Sequence, residues 1–268
     1  MMPPKVTVIM PSLNVAKYIE VCMESVLNQT LQDLEILAID AGSADGTLEI
    51  LERFAQKDNR VKVVHSDRKS YGFQMNLGIS MATGEYVGVV ETDDIIEPDM
   101  FETLYTFAVN SQADYVKGIA ESFLRVAPEA ELLQPIRAFT KNEFGSDEKI
   151  EIIPKEMSKI VLKDYFLWTG IYRKTFLEGI RFNETPGAAY QDIGFLLQTY
   201  AKAEKRYTLI NWFTITGRII LMPQDIIIKC FIILWKSIVM WTDCWKVWAM
   251  IGIARVLKSF FGRQIIGL

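Results

Sequence analysis

Short apolar runs alternate, over the first 110 residues, with longer segments whose apolar positions recur every three to four residues. The runs lie at residues 6–10, 34–40, 61–65 and 86–91, and the helical-period segments at 15–27, 47–57, 73–82 and 100–110. Strands alternating with helices predict an α/β domain, a mostly parallel sheet flanked by helices on both faces. Such a sheet gathers its ligands at the carboxyl ends of its strands. Beyond residue 110 the regularity falls. A strand-like stretch at 115–118 is followed by a polar, Pro- and Glu-containing segment to Lys155, expected to be a variable loop or small helical insertion. A block at 168–177 then leads through Gly187-Ala188-Ala189-Tyr190-Gln191-Asp192 into a helical 193–203. With no internal repeat and no sustained heptad, one main domain is expected.

Composition narrows the chemistry. Half of the 268 residues are hydrophobic, ample for a core. Cys22, Cys230 and Cys244 show no paired or metal-type spacing, and His65 is the only histidine. A His/Cys zinc site and a Ser-His-Asp triad are therefore not expected, and a reducing, cytoplasmic setting fits. The opening Met-Met-Pro-Pro-Lys runs directly into an apolar strand without a long apolar leader, so no signal peptide is expected. Residues 206–268 carry eight Lys/Arg against two acids and five of the six tryptophans, so the chain changes character near residue 206.

The strand ends carry the candidate chemistry. The first ends on Pro11-Ser12-Leu13-Asn14, the second on Asp40-Ala41-Gly42-Ser43-Ala44-Asp45-Gly46-Thr47, and the fourth on Glu91-Thr92-Asp93-Asp94. Asp45-Gly46-Thr47 reads as a turn into a helix capped by Thr47 or Asp45. Asp40 ends an apolar strand, so its carboxylate is expected to point into the crevice. Several carboxylates delivered to a strand lip put hard oxygen ligands where a divalent metal can hold a diphosphate.

Together with Ala82-Thr83-Gly84-Glu85-Tyr86, Trp168-Thr169-Gly170-Ile171-Tyr172-Arg173 and Gln191-Asp192, these segments resemble the family-two glycosyltransferases of the GT-A fold over roughly residues 5–205. The resemblance implies inverting transfer of a sugar from a nucleotide-sugar donor, usually a UDP-sugar, to an acceptor hydroxyl. Its setting would be cell-surface polysaccharide or glycoconjugate synthesis, with a carbohydrate or lipid-linked sugar as acceptor and no nucleic acid partner. Carried over by motif, Pro11, Ser12, Asn14 and Asp40 would hold the base and ribose. Asp93 would ligate a divalent metal, manganese or magnesium. Glu91, with Thr92 beside it, would meet the ribose or a metal-bound water, and Asp192 would be the catalytic base. Arg68 and Asn76 occupy the region where relatives contact the donor, and Trp168 is placed to stack on an acceptor sugar. Residues 1–110 would then be the donor half and 111–205 the acceptor and base half. Two departures stand out: the first acidic position is Glu91, and Ala41 replaces an acid often found after Asp40. A nucleotidyltransferase is the weaker rival, because Pro11-Ser12-Leu13-Asn14 is not a Gly-rich phosphate loop.

The tail departs from the resemblance. Relatives continue with a stretch like Tyr-Tyr-Tyr-Arg-Gln-Asp-Asn-Pro that helps to close over the diphosphate, whereas here the chain reads Trp212-Phe213-Thr214-Ile215-Thr216-Gly217-Arg218. Shifting the codon frame permits Val-Tyr-Tyr-Tyr-Arg-Gln-Asp-Asn-Pro-Asp-Ala from the same segment. One reading of 206–268 is therefore out-of-frame translation from about residue 212, leaving a catalytically impaired nucleotide-sugar-binding protein. A second is peripheral membrane contact through a basic, Trp-rich amphipathic segment at the inner face of the membrane, since charges interrupt every window of about 20 residues needed to span. A third is a loosely packed C-terminal helix pair.

Overall fold

The computed structural model describes residues 3–126, 129–136, 149–151, 166–209 and 214–217. The order is β1 (Val6–Ser12), α1 (Ile19–Leu27), β2 (Leu34–Asp40), α2 (Thr47–Lys57), β3 (Val61–His65), α3 (Tyr71–Met81), β4 (Tyr86–Val89), β5 (Ile95–Ile96) and α4 (Met100–Ser111). It continues with β6 (Tyr115–Lys117), β7 (Ile119–Val126), β8 (Glu129–Ile136), β9 (Lys149–Glu151), a single 3-10 turn (Leu167–Thr169), β10 (Gly170–Arg173), α5 (Gln191–Lys202), β11 (Arg206–Leu209) and β12 (Thr214–Gly217).

Eight strands form the main sheet in the order β3-β2-β1-β4-β10-β6-β11-β9. The pairs β3-β2, β2-β1, β1-β4 and β6-β11 are parallel, while β10 and β9 run antiparallel to their neighbours. The expected mostly parallel α/β sheet is thus present. Its apolar runs are explained by burial on both sides. Val6, Val8 and Met10 of β1 pack with α1, α2 and α4, whereas Ile9 packs with α3 and α5 in the opposite layer. A second sheet, ordered β5-β12-β7-β8, begins directly after the acidic segment.

Two helix starts differ from the sequence pattern for a local reason. Helix α3 begins at Tyr71, because the Ser70 hydroxyl accepts the Phe73 N–H and caps it. Helix α1 begins only at Ile19: the N–H of Val15 goes to Thr47 Oγ1 at 2.8 Å and that of Ala16 to Asp45 Oδ2 at 3.0 Å. Asp45 does accept the Thr47 N–H at 3.1 Å, so it serves both loops. Most of the tail from residue 206 lies outside the described residues, and with it the membrane and helix-pair readings. Among the described residues no helix is long and apolar enough to cross a membrane.

One buried charge braces the sheet opposite the crevice. Glu35 accepts Thr7 Oγ1 at 2.7 Å, Lys62 Nζ at 2.7 Å, and both the N–H and hydroxyl of Thr83 at 2.8 Å. Burial pushes its carboxyl up, but the bonds from Lys62, Thr7 and Thr83 outweigh that and hold it at about 2. The folded value lies below the ordinary 4.5, so the stabilisation is complete above about pH 4.5 and is lost as pH falls toward about 2. Glu35→Gln is expected to cost about 1–3 kcal/mol at neutral pH and to flatten the loss of stability on acidification, measured as urea midpoints against pH. Equal acid sensitivity in the variant would contradict this.

Candidate active site

Topology brings the polar strand ends to one edge. Strands β1 to β4 are parallel, so the loops at 12–14, 40–47, 66–70 and 91–94 emerge together. Because β10 is antiparallel to β4, the turn holding Trp168 comes to the same edge. Helices α3 and α5 lead back into β4 and β11, which puts their N-termini, Tyr71 and Gln191-Asp192, there too. All the candidate residues except Asn76, one turn into α3, therefore lie on or next to the carboxyl edge.

The first two loops hold each other. Asn14, in a left-handed conformation with φ 55°, accepts the Ala44 N–H on its Oδ1 at 2.9 Å, and its own N–H donates to Ser43 Oγ at 2.9 Å. Asp40 is buried and accepts the N–H groups of Gly42 at 2.8 Å and Ser43 at 3.0 Å on Oδ2, with the Ser43 hydroxyl on Oδ1. Three of roughly four acceptor positions are thereby engaged, which leaves Oδ1 room for one further donor. Behind these loops the buried Gln74 amide donates to Ser12 O at 3.0 Å and Ile39 O at 2.7 Å, tying the ends of β1 and β2. The Thr92 hydroxyl ties the acidic segment to Pro11 O at 3.1 Å.

The acidic segment turns tightly, with Asp94 N–H on Glu91 O at 3.0 Å. The Tyr71 hydroxyl donates to Glu91 Oε1 at 2.7 Å. Burial pushes the Glu91 carboxyl up to about 7; the Tyr71 bond opposes this, while the charges of Asp93 and Asp192 add to it. Burial also raises Asp192, against the pull of the N–H groups of Asp192 and Ile193 and of Lys117. Lys117, 1% exposed, lies at the end of β6 with its stem across Gly170, where a Cβ would stand 2.7 Å from Lys117 Cγ. An aspartate with a raised pKa in the first turn of a helix is a stronger base than a free one.

Half-buried carboxylates that repel one another fit a divalent cation, which would relieve the repulsion. Among the described residues no group of three or more His, Cys, Asp or Glu forms a cage.

Arg68 pairs with Glu184 at 3.2 Å on the surface and lies over the Phe73 ring. Asn76 spends its amide on the Phe182 backbone, donating to O at 3.0 Å and accepting from N at 2.9 Å, with Glu184 at 2.8 Å. Its visible work is to brace α3 against the 182–184 segment. Trp168 is half-buried beside Phe166, with ring centroids 5.2 Å apart. Gln74 lies in the stretch where relatives contact the donor and Gln191 in the motif with Asp192, whereas no motif or period points to Tyr71 or Lys117. Only Gln74 and Gln191 carried a signal, as amides standing inside otherwise apolar or motif stretches.

A family model described as glycosyl transferase family 2 matches residues 7–159. The uncharacterized glycosyltransferase EpsJ of Bacillus subtilis (strain 168) is 31% identical over 211 residues, covering 76% of this chain and 58% of EpsJ. Glycosyltransferase GlyG of Streptococcus pneumoniae serotype 4 is 43% identical over 114 residues, covering 42% of this chain and 38% of GlyG. The chain thus spans less than two thirds of these relatives. Among solved structures, S. aureus TarS residues 1–349 in complex with UDP-GlcNAc matches with a TM-score of 0.64 at 25% identity, covering 80% of this chain and 59% of that one.

Proposed function

The chain belongs to glycosyl transferase family 2, and from that premise we propose that its carboxyl-edge crevice binds a UDP-sugar and transfers the sugar, with inversion, to an acceptor hydroxyl. The observation that carries the reading is the convergence of Glu91, Asp93 and Asp192 on the edge that also presents Asp40 and Asn14. The TarS complex with UDP-GlcNAc supports a UDP-sugar as donor.

In this reading the Asn14 and Asp40 loops take the nucleoside, with Asp40 Oδ1 accepting the imide N–H. Asp93 would hold manganese or magnesium, and Glu91, oriented by Tyr71, would face the ribose or a water on that metal. The bound cation supplies Lewis-acid stabilisation of the diphosphate leaving group. An acceptor hydroxyl is a weak nucleophile at neutral pH, so Asp192 takes its proton as the oxygen attacks the anomeric carbon from the face opposite the diphosphate. One base suffices for a single inverting displacement, with no carboxylate nucleophile. Trp168 offers a ring face to the acceptor sugar, and Arg68 turns from Glu184 to the donor. Cell-surface polysaccharide or glycoconjugate synthesis at the cytoplasmic face of the membrane is the setting this reading favours.

A second reading, an impaired donor-binding protein, is favoured by the tail. Strand β12 pairs Ile215 with Ile96 and Thr216 with Ile95, so Thr214–Gly217 runs beside the strand that follows the acidic loop. We propose that the alternative frame, with its Tyr-Tyr-Tyr-Arg run, is the one that completes the site at this place. UDP release from UDP-glucose, UDP-galactose and UDP-GlcNAc, in the presence of manganese, tests both readings. The frame-restored protein is expected to turn over at least one donor at least 10-fold faster than the printed chain, a loss of charge stabilisation of the size one missing donor produces being about 10²-fold. Equal rates would remove the frame reading. No turnover by either protein would contradict the transferase reading.

A further inference from the structure

Resting on Asp192 as the base, we propose that Gln191 is its positioning residue: the buried amide staples the 183–191 loop onto the first turn of α3 and so fixes where Asp192 stands. Gln191 is 2% exposed. Its Oε1 accepts the Gly72 N–H and lies 3.4 Å from Ser70 Oγ. Its Nε2 donates to Thr185 Oγ1 at 2.9 Å, to Gly187 O at 3.1 Å and to Thr185 O. An amide has two N–H groups and two lone pairs, so this side chain is saturated by the protein and has nothing left to offer a substrate.

The backbone repeats the join. Gly187 N–H meets Lys69 O at 2.8 Å, and Tyr71 N–H meets Gly187 O at 2.9 Å. A Cβ at Gly72 would stand 1.9 Å from Asn183 O, so the two segments touch without space for a side chain. The loop enters α5 through Tyr190 at φ 58°, a left-handed conformation that a tyrosine does not choose unaided. The staple holds the loop in that shape two residues before the base.

Gln191→Ala removes the staple; Gln191→Glu keeps its size but turns acceptors toward the Thr185 and Gly187 carbonyls. The test compares wild type, both variants, Asp192→Asn and Gln191→Ala/Asp192→Asn. The readouts are UDP release from the three UDP-sugars, UDP affinity with manganese, and amide hydrogen exchange. Displacing a base by about 1 Å can cost about 100-fold, so kcat is expected to fall roughly 10- to 100-fold in Gln191→Ala with UDP affinity within about twofold. Adding Gln191→Ala to Asp192→Asn is expected to cost nothing more. Full activity in Gln191→Ala, or the same loss repeated on Asp192→Asn, overturns the proposal. A fully active Asp192→Asn counts against the catalytic reading itself, and a wild type without turnover fits the impaired reading of the chain. Hydrogen exchange then decides the staple: faster exchange in Gln191→Glu at both 183–190 and the first turn of α3 upholds it, and unchanged exchange overturns it.

Discussion

Asp192→Asn is expected to lower sugar transfer by about 10²- to 10⁴-fold while UDP affinity stays within about twofold, because it removes the proton acceptor and nothing that touches the nucleotide. The asparagine keeps the size of the side chain and can still bond the helix N–H groups, so the fold at the start of α5 is preserved. The pH profile carries the sign. A base works only when ionised, so the rate rises with pH through the Asp192 titration. Burial raises that titration above the ordinary aspartate value, with the N–H groups of Asp192 and Ile193 and the Lys117 ammonium opposing it. The acid limb of kcat is therefore expected above the ordinary aspartate range, and to vanish in Asp192→Asn. Transfer at the wild-type rate in the variant would remove Asp192 from the reaction. A loss of UDP affinity equal to the loss of rate would move it to the donor site.

Asp93→Ala should abolish the effect of manganese on UDP binding, lowering affinity in its presence by about 100-fold or more, to the level seen for wild type in EDTA. Asp93 stands at the lip between Thr92, which is tied to Pro11, and the buried Asp94. Its charge already reaches Glu91, one of the causes that raise that carboxyl. With alanine at 93, less repulsion bears on Glu91 and less attraction on a cation. Thermal stability is expected to hold or rise slightly, since a partly exposed carboxylate leaves a crowded negative site. A variant that keeps the full manganese effect would shift the ligand role to another acid of the loop.

The parallel half of the sheet was legible because its determinants are local. The apolar runs lie at the strands, and each strand end announces itself by glycine, asparagine or a carboxylate. The same holds for the residues assigned from motifs: Asp40, Glu91, Asp93 and Asp192 all lie on the expected edge. What was hidden depends on residues far apart in the chain. Gln74 meets Ser12 across 62 positions, and Gln191 meets Gly72 across 119. No period or propensity carries such a pairing. Tyr71 belongs to no motif, and its hydroxyl matters only because α3 sets it against Glu91. Thr47 or Asp45 was expected to cap the helix that follows, but Gly46 stands at the N-cap with no side-chain cap, and Thr47 and Asp45 take up the N–H groups of Val15 and Ala16, which is why α1 starts late. Lys117, in a three-residue strand of an irregular region, gave no sign that its charge reaches Asp192. Antiparallel β10 and the second sheet were likewise out of reach, because their strands are short and their partners distant.

The reading stands most directly on one titration: UDP into the purified protein by calorimetry, once with manganese and once with EDTA. A nucleotide site built on Asp40 and closed by a cation on Asp93 predicts measurable binding with manganese that is lost with EDTA. Binding of equal strength in both conditions would contradict the metal-bridged site, and no binding in either would contradict the donor site itself.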